Sequence, residues 1–558
     1  MEKKILIYIS SMWVCSDRFF IEVIYRHISA GDSVSILKCN GALKRNCSLT
    51  DRSAPFGTAT GGCGQCMAIF NKMVSNFAIP KENISYLPGN EIECIPRRIF
   101  ESSQELNNFS FHGVDIGAAV LNTLTMAYYD HEPDLRIHEE DVNNLIKDGI
   151  YLLKTFDDIV PNYSKVYFFN GRCIASRIPL RICQKRGIEC LTMEYGFPPG
   201  TVAFYKNTYP QDLNLTKKDV ERMWRTAPLE KIQIAESFFT DKRMRKERVC
   251  FTFNQKRNLL PIGYESNRIN IAIYDSSLLE MRGIPEYEND FSNWEFFLHY
   301  VYILAGIFEH DEKYRFYLRA HPTMANVYTS LNTEFTASGQ AKILRILRFA
   351  KLKNLHVILP HESVDSYSLL DHSDIVLTQG STIGIEATYW GKPSITFGPD
   401  YYGRMEACYL PKTHNELVQL LQMPSLKPKP KEASLPFAYY YKMFGEPLIS
   451  PKDWSWDKET TLYSNTKPAY ACKSYFFDKH VRNLIFDIPD TKVAMREKLC
   501  PEIVSAYSKK DYYIGKKNTA ETVNDAADDF YTQKPTPAEL DKFEKECKWL
   551  RENLRIPF

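Results

Sequence analysis

"DIVLTQGSTIGIEATYWGKPSITFG", Asp374 to Gly398, decides how this chain is read. Ile375–Thr378 is an apolar run of strand type, and Gln379-Gly380-Ser381-Thr382 is a small polar turn. Ile383–Trp390 then has helical character, Gly391 stops it, Pro393 lies just beyond, and the next run is again β-prone. The turn lies at the helix N-terminus, where free N–H groups and the helix dipole favour an anion. Gly380 and Gly384 let a ligand approach the backbone closely, and Ser381 and Thr382 add hydroxyl donors. Glu386 falls about one turn into the helix on the side of Thr382, where a carboxylate can accept from ribose or sugar hydroxyls. That chemistry suits a diphosphate or a nucleotide monophosphate. A Ser/Thr-capped helix of any α/β fold has the same pattern, so the stretch alone leaves both readings open.

The same alternation extends in both directions. Ile5–Ile9 reads as a strand, Phe19–Ser29 as an amphipathic helix and Val34–Leu37 as a strand, a β-α-β opening. "KVYFFNG", "RIPLRICQKRG" and "IECLTMEYG" repeat it, after a largely helical section from Gly117 to Val160. Beyond a basic stretch, "DKRMRKERVC", come "RVCFTF", "NIAIYDSS", "YRFYLRAHP", "LHVILP", "DIVLTQGS" and "SITFGP", most of them separated by helical patterns. The fold expected is α/β, with two Rossmann-like doubly wound domains facing a central cleft, at residues 1–245 and 246–422. "SLKPKPKEASLP" breaks the pattern and opens a C-terminal extension, 423–558, that is partly helical. Within it "TPAELDKFEKECKWLREN" is an amphipathic helix with Thr536 as N-cap and Pro537 in its first turn.

The chain has 558 residues, 44% hydrophobic and 25% charged, which is ordinary globular usage and enough for two or three domains. A formal charge of +2 creates no field that would draw the chain to nucleic acid. The opening "MEKKILIYISSMWVC" is too polar for a signal peptide and lacks a small-residue cleavage site. "WEFFLHYVYILAGIF", Trp294 to Phe308, is shorter than the roughly 20 residues of a membrane span and carries Glu295 and His299, so a buried helix is expected. A cytoplasmic protein is expected, at most peripheral to the inner face of a membrane.

Ligands of doubly wound sheets bind outside the carboxyl ends of the strands, so polar residues just after strands become candidates. Arg319 and His321 follow one strand, with Pro322 setting the next turn. Asp275, Ser276 and Ser277 follow another, with Glu280 close behind, although an N-cap explains such residues equally well. On the other side of the cleft Asn170, Gly171 and Arg172 follow a strand, and Glu194 closes the next. Glu194 is a candidate general base, with a salt bridge to a nearby Arg as its plain structural reading. Asp17 and Arg18 lie in the first loop, which opens on the same cleft. Cys39, Cys47, Cys63 and Cys66 have the spacing C-x7-C-x15-C-x2-C. Four thiolates hold a structural zinc in many small sites, but the wide first pair fits reduced core and loop cysteines as well.

Together these motifs resemble a family. "YLRAHPTMAN", "SYSLLDHSDIVLTQGSTIGIEATYWGKPSITFG" and "PDYYG" are similar to bacterial capsule and surface-polysaccharide glycosyltransferases of the GT-B type. "FFNGR", "MEYG" and the cysteine cluster after "LKCNGAL" resemble the N-terminal half of that group. The His-Pro and Ser/Thr motifs are distantly similar to those of Kdo transferases and sialyltransferases, which use CMP-linked sugars. The resemblance extends over residues 1–420, most specifically 365–402. It implies a hexosyl- or CMP-sugar-dependent transferase that moves a sugar from a nucleotide-sugar donor to a glycan or lipid-linked acceptor in surface polysaccharide synthesis. It implies that His321, Ser381 and Thr382 bind the donor's phosphate and nucleotide and that Glu386 contacts its ribose or sugar. No cofactor is required for transfer on this reading, and a zinc on the cysteines would be structural. The acidic motif that supplies the base in sialyltransferases has no clear copy here, which leaves Glu194, Asp17 and His321 as the catalytic candidates. A sugar-nucleotide epimerase or hydrolase on the same fold, or a non-catalytic component of a polysaccharide assembly complex, are the alternatives.

Overall fold

A computed structural model describes residues 4–11, 17–43, 62–75, 77, 79–89, 96–128, 130–198, 200–246, 255–276, 279–285, 297–321, 338–398, 401–450 and 529–553. The first unit runs β1 (Lys4–Ile9), α1 (Asp17–Ser29), β2 (Ser33–Lys38), α2 (Gly62–Ser75), β3 (Ile84–Tyr86), α3 (Ser103–Asn107), α4 (Ile116–Tyr128) and α5 (Glu139–Ile159). It continues with β4 (Lys165–Phe169), α6 (Ile174–Arg186), β5 (Glu189–Tyr195), β6 (Thr201–Lys206), α7 (Leu213–Thr226) and α8 (Lys231–Arg243). The second unit is β7 (Ile269–Tyr274), α9 (Phe297–Ile307), β8 (Tyr314–Arg319), α10 (Gly339–Phe349), β9 (Leu355–Ile358), α11 (Ser366–Asp371), β10 (Ile375–Thr378), α12 (Ile383–Tyr389), β11 (Ser394–Thr396) and α13 (His414–Gln422). After these come α14 (Leu435–Met443), β12 (Glu446–Pro447) and α15 (Pro537–Asn553). No described helix is long and apolar enough to cross a membrane.

Both sheets share one winding. The first has the order β12-β6-β5-β4-β1-β2-β3 and the second β11-β10-β7-β8-β9. In each, the first strand lies between the second and the fourth, and all five strands of that core are parallel. This is the doubly wound, Rossmann-like arrangement, and its topological switch points fall between β1 and β4 and between β7 and β10. The central strands are buried on both faces, which explains their continuous apolar runs: Ile5 to Ile9 and Ile271 to Ile273 are 0–1% exposed. The run Trp294–Phe308 contains the buried helix α9.

Two features depart from a plain repeat of β-α-β units. β5 and β6 form an antiparallel hairpin, Glu194 opposite Ala203, through the turn that contains Phe197, Pro198 and Gly200. The C-terminal extension is divided between the units. α14 packs on α7 and α8, and β12 then joins the first sheet antiparallel to β6. The buried carboxylate of Glu22 in α1 secures that return. It accepts from Arg26 Nε at 2.7 Å, from Ile449 N at 3.0 Å and from Ser450 N at 2.8 Å. Arg18, a cleft-side candidate in the sequence, donates to the Ser450 carbonyl at 2.6 Å. α15 packs on α9 and α10 of the second unit; Thr536, the N-cap read from the sequence, and Glu539 cap it reciprocally.

The loop after β7 joins the units. Arg282, 2% exposed, pairs with Glu132, and its Nε donates to the His131 carbonyl at 3.2 Å. The Arg282 carbonyl accepts from Asn122 Nδ2 at 2.7 Å, and the Gly283 carbonyl from Arg177 Nη2 at 3.2 Å. Gly283 has φ +69°, and a Cβ there would lie 2.2 Å from the Ala118 carbonyl oxygen. Backbone of the two units therefore touches at a position where a side chain has no room. Gly283→Ala is expected to lower unfolding stability by about 2 kcal/mol or more, read by urea titration, through strain at positive φ and the clash with α4. A change within about 0.5 kcal/mol would show that the interface yields freely.

Candidate functional site

In the second unit the β7–β10 switch point is lined by Asp275 and Ser276 after β7, Arg319 and His321 at the end of β8, and Gln379 to Thr382 after β10. Asp275 is 5% exposed. Burial pushes its carboxyl up to about 7, against the opposing effect of the Ser276 and His321 backbone N–H groups. The His321 N–H lies 3.5 Å from Asp275 Oδ2, at the limit of a hydrogen bond. Burial and the neighbouring Arg319 charge hold the His321 imidazole down at about 4, so it is neutral at physiological pH and can both donate and accept. Arg319 is 4% exposed, and burial lowers its guanidinium to about 10. Its Nη1 donates to the Leu359 carbonyl at 2.7 Å, whereas its buried Nε has no hydrogen-bond partner among the described residues. An unpaired buried N–H next to a neutral imidazole is a place where an anionic oxygen would be well received.

The opening stretch is built differently from its sequence reading. Gly380 does have positive φ, +82°. Gly384 does not open the backbone to a ligand: a Cβ there would lie 2.5 Å from the Tyr402 hydroxyl and 2.9 Å from Thr378 Oγ1. Its smallness serves close packing of α12 against Tyr402. The Ser381 carbonyl accepts from that same hydroxyl. Thr382 makes no side-chain cap bond; its hydroxyl donates to Glu386 Oε1 at 3.1 Å and accepts from Lys242 Nζ at 2.9 Å. Glu386, 2% exposed, also accepts from Tyr367 OH at 2.6 Å and lies 3.6 Å from Lys242 Nζ. Thr382 and Glu386 are thus engaged by a lysine from α8 of the first unit and a tyrosine from α11. These contacts fasten α12 to α8 and α11. Their partners are distant in sequence, and only the basic run around residue 242 hinted at one of them.

A second cluster sits where the first unit meets the loop after β7. Asn170, at φ +64°, and Gly171, at φ +97°, turn the chain sharply after β4. The turn lets Asn170 Oδ1 accept from Arg172 Nε at 2.7 Å while Asn170 Nδ2 donates to Glu194 Oε2 at 2.5 Å. Glu194 Oε1 accepts from the Tyr195 N–H at 3.0 Å. Burial raises the Glu194 carboxyl above the usual carboxylate range and the Glu280 charge adds to this, while Arg172 opposes it. Arg172, 6% exposed, donates through Nη1 to the Glu280 carbonyl at 3.2 Å, and its Nη2 is 3.5 Å from Glu280 Oε1. Gln211 Nε2 donates to Glu280 Oε2 at 3.3 Å. Tyr401 belongs to the same cluster: its phenol is raised by burial and then by the charges of Glu280 and Glu194. Two carboxylates with one arginine between them face one another across the two units. Glu280 stood in the sequence as a neighbour of the β7 cluster, but its pairing with Arg172 and the part of Tyr401 were not legible there.

Ser277 and Cys47 lie outside the described residues, as do Pro322 and the side chain of Asp17. Cys39 and Cys66 are buried and Cys63 is half-buried. Cys66 Sγ accepts from Lys38 Nζ at 3.2 Å, and Lys38 Nζ also donates to the Cys39 carbonyl at 2.8 Å. No group of three or more His, Cys, Asp or Glu able to hold a metal occurs among the described residues, which do not include Cys47.

No protein-family model and no curated protein matches the sequence. Among solved structures the chain is similar to the Thermosulfurimonas dismutans KpsC β-Kdo 2,4 transferase, at 16% identity over 50% of this chain and 79% of that one, with TM-score 0.30. It is also similar to a UDP-N-acetylglucosamine 2-epimerase from Listeria monocytogenes, at 10% identity over 81% and 94%, TM-score 0.24. A third is the spinosyn rhamnosyltransferase SpnG, at 8% identity over 79% and 95%, TM-score 0.21. At these scores the likenesses carry no weight; fold and site rest on the strands and residues above.

The Asp275 geometry has a pH consequence. Its folded value, about 7, lies above the ordinary 3.8, so between these the folded state keeps a proton that the unfolded chain has released. Its contribution is fully present below about pH 4 and is lost as pH rises through about 7. Asp275→Asn is expected to flatten that decline by up to about 4 kcal/mol, from roughly 3 pH units at 1.36 kcal/mol each, in urea unfolding between about pH 4 and 8. Parallel profiles for the variant and the wild type would show that Asp275 titrates normally.

Proposed function

We propose that this chain is a glycosyltransferase that moves a sugar from a nucleotide-sugar donor to a glycan or lipid-linked acceptor, as in surface or capsular polysaccharide synthesis. One observation carries the reading. The Glu194 carboxyl of the first unit is linked through Asn170 and Arg172 to Glu280, in the loop that leaves β7 of the second. A few residues earlier, the same chain segment contributes Asp275 to the second unit's switch point. An acid–base group and an anion-receptive corner on opposite units of a doubly wound pair are what transfer between a phosphate leaving group and a hydroxyl acceptor requires.

On this reading the donor's phosphates bind at Arg319, His321 and Ser276. Arg319 Nε supplies a buried N–H that strengthens as charge develops on the leaving phosphate. His321, neutral, donates one hydrogen bond without adding a charge that would have to be desolvated. Glu194 takes the proton of the acceptor hydroxyl as the bond to the sugar forms. Burial and Glu280 raise its basicity, and Asn170 aims its Oε2. Arg172 keeps the two carboxylates from repelling one another apart.

A panel of CMP, UDP, GDP and CDP tests the donor side by thermal shift. The matching nucleotide is expected to stabilise the chain by about 2.7 kcal/mol at a hundredfold excess over its Kd, and His321→Ala to lose most of that. A flat panel, or an unchanged shift in the variant, contradicts the reading. Fast release of free or epimerised sugar from the nucleotide sugar without any acceptor would count against transfer as the main reaction.

A further inference from the structure

The C-terminal segment 529–553 docks on the second unit as a built interface. Phe543, Cys547 and Leu550 of α15 are 1–4% exposed. The His299 ring of α9 stacks on Phe543 at 4.8 Å and its Nε2 is 2.8 Å from Glu546 Oε2. Arg345 of α10 pairs with Glu539 at 2.5 Å and lies over the Phe530 ring at 4.1 Å. These contacts hold the short turn that precedes α15, and there Tyr531 is 0% exposed. The helix need not bury a tyrosine to dock, because its own apolar stripe already does so. The Tyr531 ring is 6.3 Å from that of His361, in the loop after β9, where the carboxyl ends of the second sheet's strands gather. That loop runs beside the end of β8, where Ala320 N donates to the Ile358 carbonyl at 3.0 Å and Arg319 Nη1 to the Leu359 carbonyl at 2.7 Å, so the ring lies one loop away from Arg319 and His321.

We infer that the C-terminal segment is part of the second unit's ligand half-site, and that the Tyr531 ring is a positioning residue that backs the Asp275–His321 corner against which a nucleotide phosphate binds. The inference rests on the reading of that corner as a donor site. The His321 N–H faces Asp275 Oδ2 at 3.5 Å, and on this inference the buried tyrosine supports the neighbouring loop after β9 that flanks the pair. Loss of the ring therefore loosens and hydrates the corner without touching a ligand directly. The second unit's site is then assembled from two parts of the chain that are far apart in sequence.

Full-length variants test this with the nucleotide that stabilises the wild type, by calorimetric titration at one pH. Tyr531→Ala is expected to bind about tenfold more weakly with an unchanged far-UV spectrum, and Tyr531→Phe to bind within about threefold of the wild type. Glu546→Ala loosens the same helix farther from the corner and is expected to stay within about twofold. Unchanged affinity in Tyr531→Ala, a phenylalanine variant as weak as the alanine one, or an equal loss in Glu546→Ala overturns the inference while the donor site stands. A wild-type chain that binds no nucleotide overturns both.

Discussion

The loop from Glu280 to Gly283 is the constraint on which the rest depends. A guanidinium as enclosed as Arg282 is costly to desolvate unless it is paired and its hydrogens are bonded. Glu132 and the His131 carbonyl meet that requirement from the first unit. Gly283 lets the backbone lie on α4, and Asn122 and Arg177 hold the loop's carbonyls. Because the loop leaves β7 directly, the second sheet is held by its first strand. The position of Glu280 against Arg172 and Glu194 follows from that attachment rather than from any contact made by Glu280 alone.

The second tie runs the other way. α8 leaves the first unit and meets the second through Lys242 on Thr382 and Glu386, and through Phe239 stacked on Tyr389 at 3.8 Å. α14 lies beside α8, and β12 carries the chain back to the first sheet, where Glu22 binds its N–H groups. The chain's crossings and one plugged loop define the junction. The conspicuous carboxylate of the opening stretch, Glu386, belongs to this tie.

Much of the fold was legible because its strands are buried on both faces and read as unbroken apolar runs, as in Ile5–Ile9 and Ile375–Thr378. The strand-end rule also drew attention to Asp275, Arg319, His321, Asn170 and Glu194 before their surroundings were known. Contacts between remote segments were not legible. Glu446–Pro447 is too short to read as a strand, and its partner β6 lies far away in sequence. Tyr367, Tyr401, Lys242 and Tyr531 look like ordinary members of helices, turns or a tail until the fold brings them to a carboxylate. Gly384 shows the same limit: a glycine needed for packing and one needed for a ligand look alike without the Tyr402 hydroxyl beside it.

The central claim is a division of labour, with donor phosphate on the second unit and proton transfer on Glu194 of the first. Steady-state kinetics of Glu194→Gln, with a labelled nucleotide sugar and a saturating acceptor glycan, test it most directly. The glutamine keeps the shape and the hydrogen bond from Asn170 but cannot take a proton. The expected result is a kcat lower by about a hundredfold or more, with the KM for the donor within about threefold of the wild type. A variant that turns over at the wild-type rate, or one that loses donor affinity and keeps its kcat, would contradict the assignment.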